Sequence, residues 1–124
     1  MDKVEIHYLS ELYLVEISNY YGYSNFQNTY PYITIEDSLY PDTEDPDIIS
    51  DYCSIDNEIR LYWKNIENEE SLIRSIVHEY KHYLQSPSWM KRYYKQGYGY
   101  NDHPYEVEAY KEEENWYKFK IKRL

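Results

Sequence analysis

The chain has 124 residues, with 23 acidic and 13 basic side chains and a formal net charge of −10. This length fits one domain. The charge argues against nucleic acid or an anionic membrane as a partner, because binding to either needs a basic surface. Residues 1–59 hold 13 acidic residues and one basic residue, whereas residues 60–124 hold 10 and 12. We therefore expect a single domain, 1–124, with an acidic first half and a nearly neutral second half.

The first half predicts a helix followed by strands. Residues 7–21 place apolar side chains at helical spacing, and Gly22 marks the predicted end of that helix. Ile33 and Ile35 alternate within residues 29–37, a pattern typical of a short strand.

A surface loop and then a β-hairpin are predicted after this strand. Residues 38–50 are rich in proline and acidic residues, which favours a loop. Residues 51–56 and 58–63 flank an Asp-Asn pair and predict a β-hairpin, since asparagine tolerates the positive φ of a tight turn.

Three helices are predicted in the second half. Asn68 is a helix cap followed by two glutamates, which the helix dipole favours, and this helix is expected to run to Gln85 or Ser86. A short helix at 88–95 precedes a last helix, 104–120, which begins with a proline. This order of elements predicts an α+β domain with a small, mostly antiparallel sheet.

The H-E-x-x-H motif at 78–82 carries the clearest chemical signal. On a helix, His78 and His82 lie one turn apart on the same face and can present two imidazoles to one metal ion. Glu79 can lean toward the same face as the general base for a metal-bound water. The apolar stripe of this helix lies elsewhere and comprises Ile73, Ile76, Val77, Tyr80 and Leu84.

A catalytic zinc needs a third protein ligand and an open position. Gln85 and Ser88 stand where the metzincin motif has glycine and histidine, which excludes that class. Cys53 lacks the surrounding motif of the peptide deformylases, and we interpret it as a strand cysteine.

A second motif, E-x-x-A, lies on the last predicted helix from Glu106 to Ala109. Together the two motifs resemble the gluzincins, in which a glutamate on a later helix is the third zinc ligand, and especially the short single-domain gluzincin-like peptidases of bacteria and phages. The resemblance covers about residues 50–118. It implies a minimal zincin-like domain with one Zn²⁺ per chain, bound by His78, His82 and Glu106.

Glu108 is the alternative third ligand, because thermolysin-like enzymes carry alanine directly after theirs. Glu106 and Glu108 are about 200° apart around a helix, so only one can face the metal. Ala109, the only alanine of the chain, favours Glu106, since a small side chain lets the two helices approach closely. Tyr110 stands where larger gluzincins often have the aspartate that holds the first histidine. We assign Glu112, Glu113 and Glu114 to a solvated face.

Transition-state stabilisers are expected in or beside the loop 96–105, because hydrolysis places negative charge on the former carbonyl oxygen. The candidates are Tyr98, Tyr100, His103 and Tyr105.

The resemblance implies a zinc metalloendopeptidase that acts on a peptide or protein, with the strand 59–63 as the sheet edge that takes the substrate. One alternative is a catalytically inactive zincin-fold protein that serves in binding or as a virion or structural component. Another is a structural zinc site closed by His103 or Cys53. The acidic loop 36–47 is either a solubilising surface or a rim that selects a basic peptide or partner.

The sequence also bears on location and source. It has one cysteine, no signal peptide and no long apolar stretch, from which we expect a cytoplasmic protein. Its 19 tyrosines and single alanine are typical of an AT-rich genome, such as that of a phage.

Overall fold

The computed structural model describes residues 1–39, 45–97 and 103–121, which form an α+β fold, as the sequence predicts. The elements in chain order are helix α1 (Lys3–Tyr21), strands β1 (Tyr32–Glu36), β2 (Ser50–Cys53) and β3 (Glu58–Tyr62), and helices α2 (Glu69–Leu84), α3 (Pro87–Lys95) and α4 (Pro104–Glu112). Two 3₁₀ segments, Trp63–Asn65 and Glu113–Lys118, follow β3 and α4. Among these described residues, no helix has the length and apolar character needed to cross a membrane.

Helix α1 begins at Lys3, earlier than the predicted residue 7. Its start is set by a cap, because the Asp2 carboxylate accepts a hydrogen bond from the backbone N–H of Glu5 at 2.8 Å. The predicted end is confirmed: Gly22 has φ of 85°, and its N–H donates to the carbonyl of Ser18 at 2.8 Å. The predicted start at residue 7 was too late because it was based on the spacing of apolar residues, whereas the observed start is set by the Asp2 cap.

The three-stranded sheet is mixed, with the order β1-β3-β2. Strands β2 and β3 form the predicted antiparallel hairpin, and Asn57 in its turn has φ of 53°. Strand β1 pairs with β3 in parallel, so the prediction of a mostly antiparallel sheet was wrong. The chain between β1 and β3 is long enough for the crossover that a parallel pair needs. Strand β3 is therefore central, and the expectation that 59–63 forms an edge was wrong as well.

Helix α2 lies at the centre of the molecule, begins after the predicted cap and ends at Leu84, one residue before the predicted range of Gln85 to Ser86. The side chain of Asn68 accepts from the N–H of Ser71 at 2.9 Å, and the Ser71 hydroxyl accepts from the N–H of Asn68, which together form a capping box. The helix ends where Gln85 becomes extended. It contacts α1, α4, β2, β3 and the segment Glu113–Lys118. The histidine face is consequently buried along with the apolar stripe.

One core joins α1, β3 and α2. It contains Ile6, Leu9, Tyr13 and Ile17 of α1, Ile59 and Leu61 of β3, and Leu72, Ile73, Ile76, Val77, Tyr80 and Tyr83 of α2. Ile33 and Ile35 of β1 pack against it while partly buried. This packing fixes α2 relative to the sheet, so the chemically active side of the helix has a defined surrounding.

Helix α4 is shorter than the predicted range 104–120, because it gives way to a 3₁₀ segment at Glu113. The negatively charged glutamates at 112–114 are repelled by the negative C-terminal end of the helix dipole, which is a physical reason why α4 ends before residue 120. At its start Pro104 is the first helical residue, and the His103 side chain accepts from the N–H of Tyr105 at 3.0 Å. Ala109 is fully buried.

Candidate metal centre

The centre is built from two histidines of α2 and one glutamate of α4. The Nε2 atom of His78 lies 3.1 Å from Oε2 of Glu106, and the Nε2 atom of His82 lies 2.5 Å from Oε1 of the same carboxylate. All three side chains are buried. One turn of α2 separates the histidines, so a single carboxylate from the neighbouring helix reaches both rings.

Each of the two histidines also makes a hydrogen bond through its Nδ1 atom. Nδ1 of His78 lies 2.7 Å from Oε2 of Glu113, and Nδ1 of His82 lies 2.7 Å from Oε1 of Gln85. The amide of Gln85 is fixed in turn, because its Nε2 donates to the carbonyl of Tyr105 at 3.0 Å. If both Nδ1 atoms donate, loss of the Nε2 protons leaves the Nε2 lone pairs of both rings free for one metal ion, as metal-binding histidines require.

Glu79 lies beside this group and is bound from the sheet. The hydroxyl of Ser50, the first residue of β2, donates to Oε2 of Glu79 at 2.6 Å. Burial raises the pKa of Glu79, and electrostatic interactions with the two neighbouring imidazoles and the Ser50 hydrogen bond oppose that rise. A carboxylate with a raised pKa is suited to accept and return a proton near neutral pH.

His78 and Glu106 shift each other's pKa values. Burial alone raises the pKa of Glu106, but hydrogen bonds from His78 and His82 outweigh it and lower the pKa to about 2. Burial lowers the pKa of His78, but its hydrogen bonds to Glu106 and Glu113 outweigh it and raise the pKa to about 10. A proton therefore balances the Glu106 carboxylate here, and a metal ion that binds must displace that proton.

The donor atoms fit a small divalent metal ion. His78, Glu79 and His82 can each bring one ligand atom within 4.8 Å of the others, and all three are buried. Tetrahedral zinc with ligands at 2.0–2.1 Å places donor atoms about 3.3 Å apart, so the Glu106 oxygens and the two Nε2 atoms need to separate by less than about 1 Å. Nitrogen and carboxylate oxygen are donors that zinc accepts. His78, Glu79 and His82 therefore form a possible metal site, and Glu106 contacts both of its histidines.

Glu108, the alternative ligand, points elsewhere. Its Oε1 lies 2.9 Å from the Nζ atom of Lys81, and its side chain is 42% exposed. The opposite directions of Glu106 and Glu108 follow from their spacing of two residues on α4.

The expected transition-state stabilisers lie in different places. Tyr105 stacks on His82, with ring centroids 4.2 Å apart and planes 10° apart. His103 is fully buried and caps α4 through its Nδ1 atom. Tyr98 and Tyr100 fall outside the described residues.

Cys53 belongs to the opposite face of the sheet from Ser50, by the alternation of side chains along β2. Its Sγ atom lies 3.7 Å from a carboxylate oxygen of Asp56 in the hairpin turn. Of the acidic loop, residues 40–44 are outside the described residues. Asp37 in this loop pairs with Lys3 at 2.9 Å.

Comparison with protein-family models, curated proteins and solved structures finds no match for this chain. The candidate centre therefore depends on its own geometry and on the motif.

Three residues of the centre escaped the sequence analysis. The assignment of Glu113 to a solvated face was wrong, although it lies two helical turns after Glu106, a spacing that places both on one face. Gln85 was considered as the end of α2 and as a mismatch to the metzincin motif, but not as a partner of His82. Ser50 gave no sequence signal, because its contact with Glu79 depends on how the sheet packs on α2.

Proposed function

We propose that this protein is a zinc-dependent endopeptidase in which His78, His82 and Glu106 bind the metal and Glu79 is the general base. The observation that carries the proposal is the Glu106 carboxylate, whose two oxygens contact the Nε2 atoms of both motif histidines. A buried glutamate between two histidines has a large desolvation cost, which a proton on the histidines offsets and which a bound cation would offset in that proton's place.

Bound zinc supplies a Lewis acid that acidifies a water molecule and polarises a carbonyl group. Glu79 accepts the proton of the attacking water and later gives it to the leaving amine. Ser50 keeps one oxygen of Glu79 occupied as a hydrogen-bond acceptor, which leaves the other oxygen for this proton. Gln85 and Glu113 hold the two imidazoles in the tautomer that ligation needs.

Strand β2 is the best candidate for the sheet edge that takes the substrate. Among the described strands β2 pairs only with β3, and its first residue already touches Glu79. An extended peptide that adds to this edge through backbone hydrogen bonds would pass next to the general base. The excess of acidic residues in 1–59 favours a peptide rich in lysine or arginine.

The experiment combines metal content with hydrolysis by the full chain. Elemental analysis is expected to find one zinc per chain, and a fluorescent casein assay is expected to detect cleavage. Glu79→Gln should retain zinc and lose cleavage, whereas Glu106→Gln should lose both. Glu108→Gln is the matched control on the same helix and should retain both, because its contact is Lys81.

Three outcomes would oppose the proposal in different ways. Full cleavage by Glu79→Gln would remove that residue from the chemistry. Zinc bound at one per chain without cleavage of casein or of lysine-rich peptides would favour the alternative, an inactive zincin-fold protein that serves in binding or in a virion. Zinc binding that is lost in Cys53→Ala, or in His103→Asn, which retains a capping side chain, would indicate a closed structural site.

A further inference from the structure

We propose that the outer face of α1 is a docking surface for a basic amphipathic helix of a partner protein. The surface consists of Val4, Tyr8, Leu12 and Val15, and we call it the α1 stripe. Val4 is 79% exposed, Tyr8 66% and Val15 57%, with Leu12 at 37%. This surface is independent of the metal centre.

The α1 stripe is separate from the face that holds the fold together. At 100° per residue, its four side chains fall within an arc of about 80°, centred about 150° from the core-facing side chains. The core-facing residues are Ile6, Leu9, Tyr13 and Ile17, each 3% exposed or less. Helix α1 is thus apolar on two sides, and the core explains only one of them. Single exposed apolar residues are common, whereas a contiguous apolar patch of a few hundred Å² is often functional.

The shape of the stripe suits another helix. Val4, Tyr8 and Leu12 form one i, i+4 ridge, and Val15 continues it one turn further. Such ridges pack into the grooves of a second helix. The stripe is about 16 Å long, at a rise of 1.5 Å per residue over eleven residues, which three turns of a partner helix can cover.

The charge beside the stripe specifies the partner. Glu5, Glu11 and Glu16 are exposed along its borders, and no ion pair among the described residues involves them. Lys3 is the only basic residue of α1, and it is held by Asp37 at 2.9 Å. A helix with lysine or arginine beside its apolar side would complement these glutamates.

A second copy of this chain fits the stripe poorly. Two stripes face to face would bring two sets of glutamates together, and like charges at an interface oppose association.

The stripe exposes on the order of 400 Å², about half of the roughly 800 Å² that each partner buries in a stable complex. We therefore expect a weak, transient contact with a basic partner.

The test uses the full chain and a synthetic 18-residue amphipathic helix of leucine and lysine as the probe. We expect micromolar binding by fluorescence anisotropy, and a rise in dissociation constant of at least tenfold for the double variant Tyr8→Ser/Val15→Ser. Ile55→Ser is the matched control, because Ile55 is 92% exposed in the hairpin turn, away from α1. A probe with glutamate in place of lysine should not bind.

Each other result would overturn the proposal. Equal binding by the double variant and the wild type, or equal binding of a scrambled leucine-lysine peptide, would mean attraction by net charge alone. A homodimer in sedimentation that Val15→Ser abolishes would identify a second copy as the occupant. Binding to phosphatidylcholine vesicles that the double variant loses would identify a membrane surface instead.

Discussion

Glu113 offers a sharp test of the candidate centre, because it contacts His78 without touching the proposed metal position. Its Oε2 lies 2.7 Å from Nδ1 of His78, a short contact between groups that carry charge, and its side chain is only 19% exposed. Groups that orient a metal-binding histidine contribute about 10- to 100-fold to metal affinity, or about 1.4–2.7 kcal/mol. Glu113→Gln retains an acceptor oxygen and loses the charge, so we expect the lower value, an increase in the zinc dissociation constant of about tenfold.

The assay is competition for zinc against a chromophoric chelator at fixed pH, with circular dichroism to verify the fold. Glu114→Gln is the matched control, because Glu114 is 76% exposed and its contact is Arg74 at 3.4 Å. An exposed pair of this kind contributes about 0–1 kcal/mol, and no hydrogen bond or ion pair among the described residues joins Glu114 to a histidine. Equal zinc affinity in Glu113→Gln, Glu114→Gln and the wild type would refute the role of Glu113 in orienting His78.

Three further predictions concern the sheet contact, the core and the tyrosines. Ser50→Ala should slow casein cleavage about tenfold or more, since a hydrogen bond to a charged group contributes roughly 1.5–3 kcal/mol. Its zinc content should be unchanged, and Ser50→Thr should cleave at close to the wild-type rate. An unchanged rate in Ser50→Ala would contradict the role of this hydrogen bond. Ile76→Ala should lower the free energy of unfolding by about 2–5 kcal/mol in urea titrations, because Ile76 is fully buried; a loss below about 1 kcal/mol would argue against this core. Burial raises the pKa of Tyr80 to about 12, above the pKa of about 10 of an unfolded tyrosine, so its neutral phenol contributes stability that is fully present below about pH 10 and is lost as the pH rises toward 12. Between pH 9 and pH 11, urea titrations should show a smaller loss of unfolding free energy for Tyr80→Phe than for the wild type. An equal loss would exclude this contribution.

Local signals in the sequence were sufficient to predict α2 and the hairpin. Asn68 and the glutamates after it mark a helix start, and the Asp-Asn pair before β3 marks a turn. Both signals act within a few residues of the structure that they specify. The face shared by His78 and His82 is local in the same sense, because helical spacing alone aligns them.

Contacts between distant segments could not be predicted in this way. The parallel pairing of β1 with β3 depends on a crossover, and the sequence of either strand is compatible with both directions. Ser50 reaches Glu79 only because β2 packs against α2. Glu113 is an intermediate case: its spacing from Glu106 was visible, but three adjacent glutamates resemble an ordinary solvated surface.

The hairpin register links the sheet to the proposed general base. Ser50 is paired with Leu61, and Asp51 with Arg60. A slip of β2 by one residue would exchange the faces of its side chains and could turn Asp51 toward Glu79. Two carboxylates would then share one buried position, and the ion pair of Asp51 with Arg60, at 2.6 Å, would be lost. The turn at Asn57 therefore protects the protonation chemistry of a residue on another element, and lengthening that turn by one residue should impair hydrolysis before it unfolds the domain.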